Sequence, residues 1–190
     1  MLAGGIRERD IVWQEFGDMF RLDAKRIQVL GALERMWQQG GGQNLLVEQV
    51  MTRSPICVLP ETTLPEMIEI FHTRHFRHLL VTDAEGKLVG VISDRDVLRM
   101  MGPGTAYKEV LEGILAREIM STDLVTIGLA SSAGTAIAMM MDHGISCLPV
   151  LDEGRLVGIL TNTDLHVLLE MLLETIRVTG AEQPLAGVRQ

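Results

Sequence analysis

The chain has 190 residues, of which 47% are hydrophobic and 22% charged, with a formal net charge of -8. That apolar share is enough to bury a core at this length, in one domain or two small ones, so the protein is folded and globular. The acidic balance argues against a phosphate-backbone binder, which would carry a basic stripe, so no nucleic-acid partner is expected and any bound anion must be held locally. Cys57 and Cys147 stand far apart with no partner at metal-ligand spacing, and read as reduced, buried thiols of a reducing compartment.

The first residues hold Arg7, Glu8, Arg9 and Asp10 ahead of any apolar run, so no secretion signal is expected and the location is read as cytoplasmic. In the segment that follows, Val12, Phe16, Met19, Phe20, Ile27, Leu30, Leu33 and Trp37 recur every three to four positions. This predicts one amphipathic helix or two, with Asp10 and Asp23 as potential N-caps, ended by Gly40-Gly41-Gly42. Residues 1–45 are therefore a helical segment with a glycine-rich linker.

The remainder is a duplication. EQVMTRSPICVL at 48–59 falls on REIMSTDLVTIG at 117–128, and HFRHLLVTDAEGKLVGVISDRDV at 75–97 falls on GISCLPVLDEGRLVGILTNTDL at 144–165. Two copies define a tandem pair, not a solenoid. The first unit spans 46–104 and the second, with a linker helix, 105–178; residues 179–190 read as a frayed tail. Each unit has the order β-α-β-β-α.

In unit one a strand over Ile56–Leu59 precedes a helix that starts with the capping box Thr63/Glu66 and turns Met67, Ile70 and Phe71 inward. A hairpin follows, with its tip at Ala84-Glu85-Gly86. Gly102-Pro103-Gly104 breaks the chain, and a helix over about 106–116 leads onward. In unit two a strand over Val125–Ile127 precedes a helix capped by Ser131 or Ser132 and bearing Ala136, Ile137, Met140 and Met141; Glu153-Gly154 forms the second hairpin tip. The stretch 124–141 carries no charge, but Thr126, Ser131, Ser132 and Thr135 interrupt it, so no membrane span is expected. The closing helix, with Leu165, Val167, Leu168, Leu169, Met171, Leu172 and Leu173, is apolar on more than one side and must be covered on more than one side.

Both hairpins run into a helix through a hydroxyl residue and an aspartate three places later, Ser93-x-x-Asp96 and Thr161-x-x-Asp164. Capping alone accounts for that spacing. A second chemistry fits the same groups: helix-start N–H groups and a hydroxyl can hold a phosphate, while the aspartate can accept from two adjacent ribose hydroxyls.

The ordered set VMT (50–52), LLVTDAEGKLVGVISDRDV (79–97), IMS (119–121) and LPVLDEGRLVGILTNTDL (148–165) resembles a tandem pair of CBS domains (cystathionine-β-synthase type), a Bateman module, over about residues 46–178. The resemblance implies an α/β (α+β) fold of two units packed about a pseudo-twofold axis. It implies clefts between them for AMP, ADP, ATP or S-adenosylmethionine, and a regulatory, non-catalytic role. On that basis Asp96 and Asp164 would accept ribose hydroxyls, and Ser93 and Thr161 would bind phosphate. Ile56 to Val58 and Val125 to Ile127 would face adenine, and Thr52 and Ser121 would line the clefts. Arg95, where unit two has Thr163, would add a phosphate donor, and His78, where unit two has Cys147, a further one. The first cleft is then expected to prefer the more phosphorylated ligand and the second a less charged one or none. No cofactor is required, and Mg²⁺ would enter only with bound ATP.

Other readings compete. His72, His75 and His78 suggest a metal site, but His78 opens a strand and no Asp, Glu or Cys completes a shell. No P-loop, nucleophile elbow or cysteine-base pair supports catalysis. A scaffold that binds no small molecule would use the surplus apolar surface, which equally fits the homodimer common among CBS pairs. The N-terminal helix would then cover that dimer or dock on a protein target.

Overall fold

The computed structural model describes residues 8–38, 44–100 and 113–181, with side chains over 21–38, 44–100 and 113–177. Gly40-Gly41-Gly42, Gly102-Pro103-Gly104, most of the expected 106–116 helix and residues 182–190 lie outside the described residues. The N-terminal segment is one helix, α1 (Glu8–Gln38), of 31 residues. No proline removes a backbone donor within it, so nothing divides it in two. Asp23 lies inside the helix instead of capping a second one, and accepts from Arg26 at 2.9 Å. Its inward face presents Val29, Ala32 and Leu33, all fully buried, with Leu22 and Met36 half-buried beside them.

After α2 (Val47–Val50), the first unit comprises β1 (Thr52–Arg53), β2 (Cys57–Val58), α3 (Leu64–Arg74), β3 (His78–Thr82), β4 (Leu88–Ser93) and α4 (Asp94–Met100). The second repeats the order with α5 (Ala116–Ile119), β5 (Ile127–Gly128), α6 (Ala133–His143), β6 (Cys147–Asp152), β7 (Arg155–Thr161) and α7 (Asn162–Ala181). The sheets run β2-β3-β4 and β1-β7-β6-β5. In each, the short first strand pairs parallel to the hairpin's first strand, and the hairpin is antiparallel. The hairpin tips turn at Gly86 and Gly154, both at φ 80°, a conformation with no steric cost for glycine. Thr63 donates its N–H and hydroxyl to Glu66, each at 2.7 Å, and Ser132 accepts from the Thr135 N–H at 3.0 Å, so both expected helix starts hold.

The lead-in to each unit belongs to the body of the other. β1 pairs with β7, Thr52 opposite Ile159 and Arg53 opposite Gly158. In the mirror arrangement Ser121 exchanges backbone hydrogen bonds with Val91, at 2.9 and 3.1 Å. Val47 N–H donates to Ser131 O (2.8 Å) and Ala133 N–H to Leu45 O (2.7 Å), which ties α2 to unit two. Ala116 N–H donates to Thr62 O (2.8 Å) and Leu64 N–H to Ile114 O (2.9 Å), which ties α5 to unit one. Leu80, Cys147 and Ile159 form a third apolar cluster where the two sheets meet.

Gly90 and Gly158 make this clasp possible. A Cβ at Gly158 would stand 2.6 Å from Met51 Sδ and 2.9 Å from the Thr52 carbonyl oxygen, and one at Gly90 would run into Met120. Backbone on one side leaves little room to yield, so Gly158→Ala should cost about 1–3 kcal/mol, read as a lower urea midpoint at unchanged m-value.

Two expectations are corrected. Cys57 is exposed, because in a two-residue edge strand Val58 takes the inward position and its neighbour must face out. Cys147 is buried as expected, and burial pushes its thiol up to about 12. The strand expected over Val125–Ile127 forms instead at Ile127–Gly128, where pairing with Val150 and Leu151 begins.

Candidate functional site

Both junctions form the same hydrogen-bonded box. Ser93 donates its N–H (2.9 Å) and hydroxyl (2.6 Å) to Asp96 Oδ2, and Thr161 donates its N–H and hydroxyl to Asp164 Oδ2, each at 2.7 Å. Each strand therefore ends by handing its last hydroxyl to the first turn of the next helix. The other carboxylate oxygens differ. Asp96 Oδ1 meets Arg99 at 3.1 Å, an i,i+3 pair at the surface. Asp164 Oδ1 accepts from the Thr52 hydroxyl at 2.9 Å and from the Lys25 ammonium at 2.6 Å, with side chains only 5% and 10% exposed for Asp164 and Lys25.

Lys25, Thr52, Ser93, Thr161 and Asp164 line a cavity of about 740 Å³, within the range of small-molecule pockets. Of the residues singled out in the sequence, it gathers Thr52, His78, Ser93, Arg95, Thr161 and Asp164. The arrangement is composite, with the lead-in of unit one beside the acid of unit two, because β1 joins the second sheet. Arg95 of the first junction faces the same cavity as Asp164 of the second.

The remaining expected residues lie elsewhere. Val58 and Ile127, 7% and 5% exposed, put their side chains into the two cores, and Ile56 and Val125 pack against the same cores. Asp96 is not among the groups lining the cavity, and Ser121 is exposed and pairs through its backbone with Val91. His78 Nε2 meets Ser146 Oγ at 2.8 Å across the two units. Burial holds the His78 imidazole below its ordinary pKa, so at pH 7 it is neutral.

The part of the wall that the repeat pattern did not reveal comes from α1. Arg21, Lys25 and Gln28 line the cavity from one helix face, at spacings of four and three. That polar stripe was visible in the sequence, beside the apolar one. Gln28 donates to the carbonyls of Gln49 (2.9 Å) and Met51 (3.2 Å), which fixes α1 on the lead-in to Thr52. Arg21 stacks over Phe76 at 4.8 Å from the ring centre. Arg26 makes a two-pronged contact with Glu170 on α7, at 3.1 Å each. Arg53, Ser54, Arg77, Ser146 and His166 also line it, together with Asn162 and Thr163 of the α7 start. Among the described residues the lining carries Arg21, Lys25, Arg53, Arg77 and Arg95 beside the carboxylates of Asp94 and Asp164, so the cavity is basic in an acidic chain. Among the described residues no group of three His, Cys, Asp or Glu is placed to hold a metal ion, and no helix is long and apolar enough to cross a membrane.

Two β-α-β-β-α units clasped through exchanged lead-ins, with helix starts from both turned to one cavity, define a tandem α/β pair. The chain belongs to the CBS domain family, whose model matches residues 47–102 and 116–170. A CBS domain-containing protein of Dictyostelium discoideum is 34% identical over 140 residues, covering 70% of this chain and 96% of the relative. Protein MJ1225 of Methanocaldococcus jannaschii is 32% identical over 125 residues, 65% of this chain, which spans 42% of that longer protein. Its crystal structure, described as an archaeal homolog of g-AMPK, superposes with a TM-score of 0.59 at 25% identity, covering 75% of this chain and 52% of the neighbour. The CBS domain pair of protein MJ0100, solved with 5'-methylthioadenosine and S-adenosyl-L-methionine, superposes with a TM-score of 0.57 at 26% identity, over 65% of this chain and 98% of that one.

Proposed function

We propose that the chain is a regulatory sensor without catalysis of its own, and that it binds an adenosine-containing nucleotide in the cavity between its two CBS units. The observation that carries this reading is the composite wall. One cavity holds an acceptor for ribose at Asp164, hydroxyls at Thr52, Ser93 and Thr161, the start of α7, and an excess of arginine and lysine. The structural likeness to a pair solved with two adenosine compounds supports the same ligand class. Binding would shift the packing of the two units against each other. The change would pass to a partner through a homodimer built on α6 and α7, where Ile137, Met141, Leu169, Leu173 and Ile176 are exposed, or through α1, all in the cytoplasm.

Calorimetric titration with AMP, ADP, ATP and S-adenosylmethionine tests the reading. Asp96→Asn/Asp164→Asn should weaken the bound nucleotide by roughly ten- to a hundredfold, the worth of hydrogen bonds to a charged acceptor. Arg95→Ala, an exposed residue whose loss leaves the fold intact, should weaken ADP more than adenosine. If every adenine compound binds the double variant as it binds the wild type, the sensor reading fails. The chain is then an assembly domain built on its apolar helix faces.

A further inference from the structure

Asp164 is fully engaged, so it can accept from a ribose only in exchange for one of its present donors. Its four lone-pair positions are taken by the Thr161 N–H and hydroxyl on one oxygen and by the Thr52 hydroxyl and Lys25 ammonium on the other. Asp96 is not so closed: among the described residues its second oxygen meets only Arg99, a side chain 77% exposed to solvent. The donor that closes Asp164 comes from α1, outside both repeat units. A ribose diol can reach this carboxylate by displacing the ammonium of Lys25, a cavity-lining side chain 10% exposed.

The displaced charge then has to be compensated. Asp164 does not do this fully: loss of hydration outweighs the carboxylate and draws Lys25 below the ordinary lysine pKa. The surroundings add like charge, with Arg21, Arg53 and Arg95 on the same cavity. A ligand that brings its own phosphates supplies the missing anion, whereas adenosine brings none and S-adenosylmethionine carries a net positive charge, its one carboxylate set against a sulfonium and an ammonium.

We propose that Lys25 is a specificity-determining residue that couples ribose capture at Asp164 to negative charge on the ligand, so that this cavity selects nucleoside di- and triphosphates over adenosine and S-adenosylmethionine. The inference rests on the nucleotide reading above and adds the residue that sorts the ligands. Lys25 exchanges Asp164 for a phosphate oxygen as the nucleotide enters. The selectivity is a property of the helix ahead of the pair, not of the pair itself.

The test is calorimetry with Mg²⁺-free ADP, adenosine and S-adenosylmethionine on the full chain. Wild type should bind ADP at least about tenfold more tightly than adenosine, within the usual range of coupling. Lys25→Met keeps the length and apolar stem but removes the charge; in it adenosine should bind more tightly, ADP more weakly, and the ratio should collapse to within about twofold. Lys25→Arg, which keeps the charge, should retain the wild-type preference, a rescue that a purely structural role for the side chain would not show. An unchanged ADP-to-adenosine ratio in Lys25→Met, with ADP binding still sensitive to Asp164→Asn, overturns this inference alone. ADP binding indifferent to Asp164→Asn overturns the nucleotide reading and this inference with it.

Discussion

Asp164→Ala should destabilise the protein by about 3–5 kcal/mol, while the equivalent change in the first unit, Asp96→Ala, should cost about 1 kcal/mol. The two aspartates occupy the same place in the repeat and make the same box with the preceding hydroxyl. Removing Asp96 takes away a helix cap at a half-exposed site, and Arg99 returns to water. Removing Asp164 strands the Lys25 ammonium in a wall where it is 10% exposed and leaves the Thr52 hydroxyl without its acceptor. An uncompensated buried charge is the larger penalty. Urea denaturation of the two single variants measures the difference. Lys25→Met/Asp164→Asn should recover most of the loss, since it removes the stranded charge as well as its partner. Equal effects for the two aspartates would show that the Lys25 pair contributes nothing.

Leu33→Ala should cost about 2–5 kcal/mol, as expected for a leucine truncated in a packed core. Leu33 is on α1, ahead of the repeat, yet it is fully buried in one cluster with Val47 of α2 and with Leu148, Leu160 and Leu168 of the second unit. Ile27→Ala, on the same helix at 73% exposure, should stay within about 0.5 kcal/mol of wild type. The pair of variants separates two pictures of α1. A detachable arm would lose Leu33 without lowering the unfolding midpoint of the CBS pair, whereas an integral helix lowers it for the whole protein.

Much of this architecture was legible because it is local. Each hairpin tip needs a glycine at positive φ, and the sequence places Gly86 and Gly154 there. Each helix start needs an oxygen acceptor, and Thr63/Glu66, Ser132, Ser93/Asp96 and Thr161/Asp164 provide it. The exchange of lead-ins was not legible. Two similar units offer β1 two similar edges, and nothing in Thr52 or Arg53 says which one it joins. This hid the pairing of Thr52 with Asp164 and made the junctions look like separate clefts. The family resemblance implies that the first strands offer backbone groups and apolar side chains to adenine, those of Val58 and Ile127 among them. Strand alternation then decided for the core, and the same rule turned Cys57 outward. On α1, Arg21, Lys25 and Gln28 have no counterpart in the repeat, so the duplication does not mark them as part of the wall.

The crossed lead-ins carry a consequence for how the halves hold together. Met51 lies over the glycine of the opposite half, and Met120 does the same in return, so each half is finished by a piece of its sibling. This is the geometry of a swapped dimer written into a single polypeptide. The covalent tether between the halves is then less important than the mutual exchange. Cutting the tether would leave two fragments still gripping one another, and neither fragment taken singly would have a complete sheet edge to fold against.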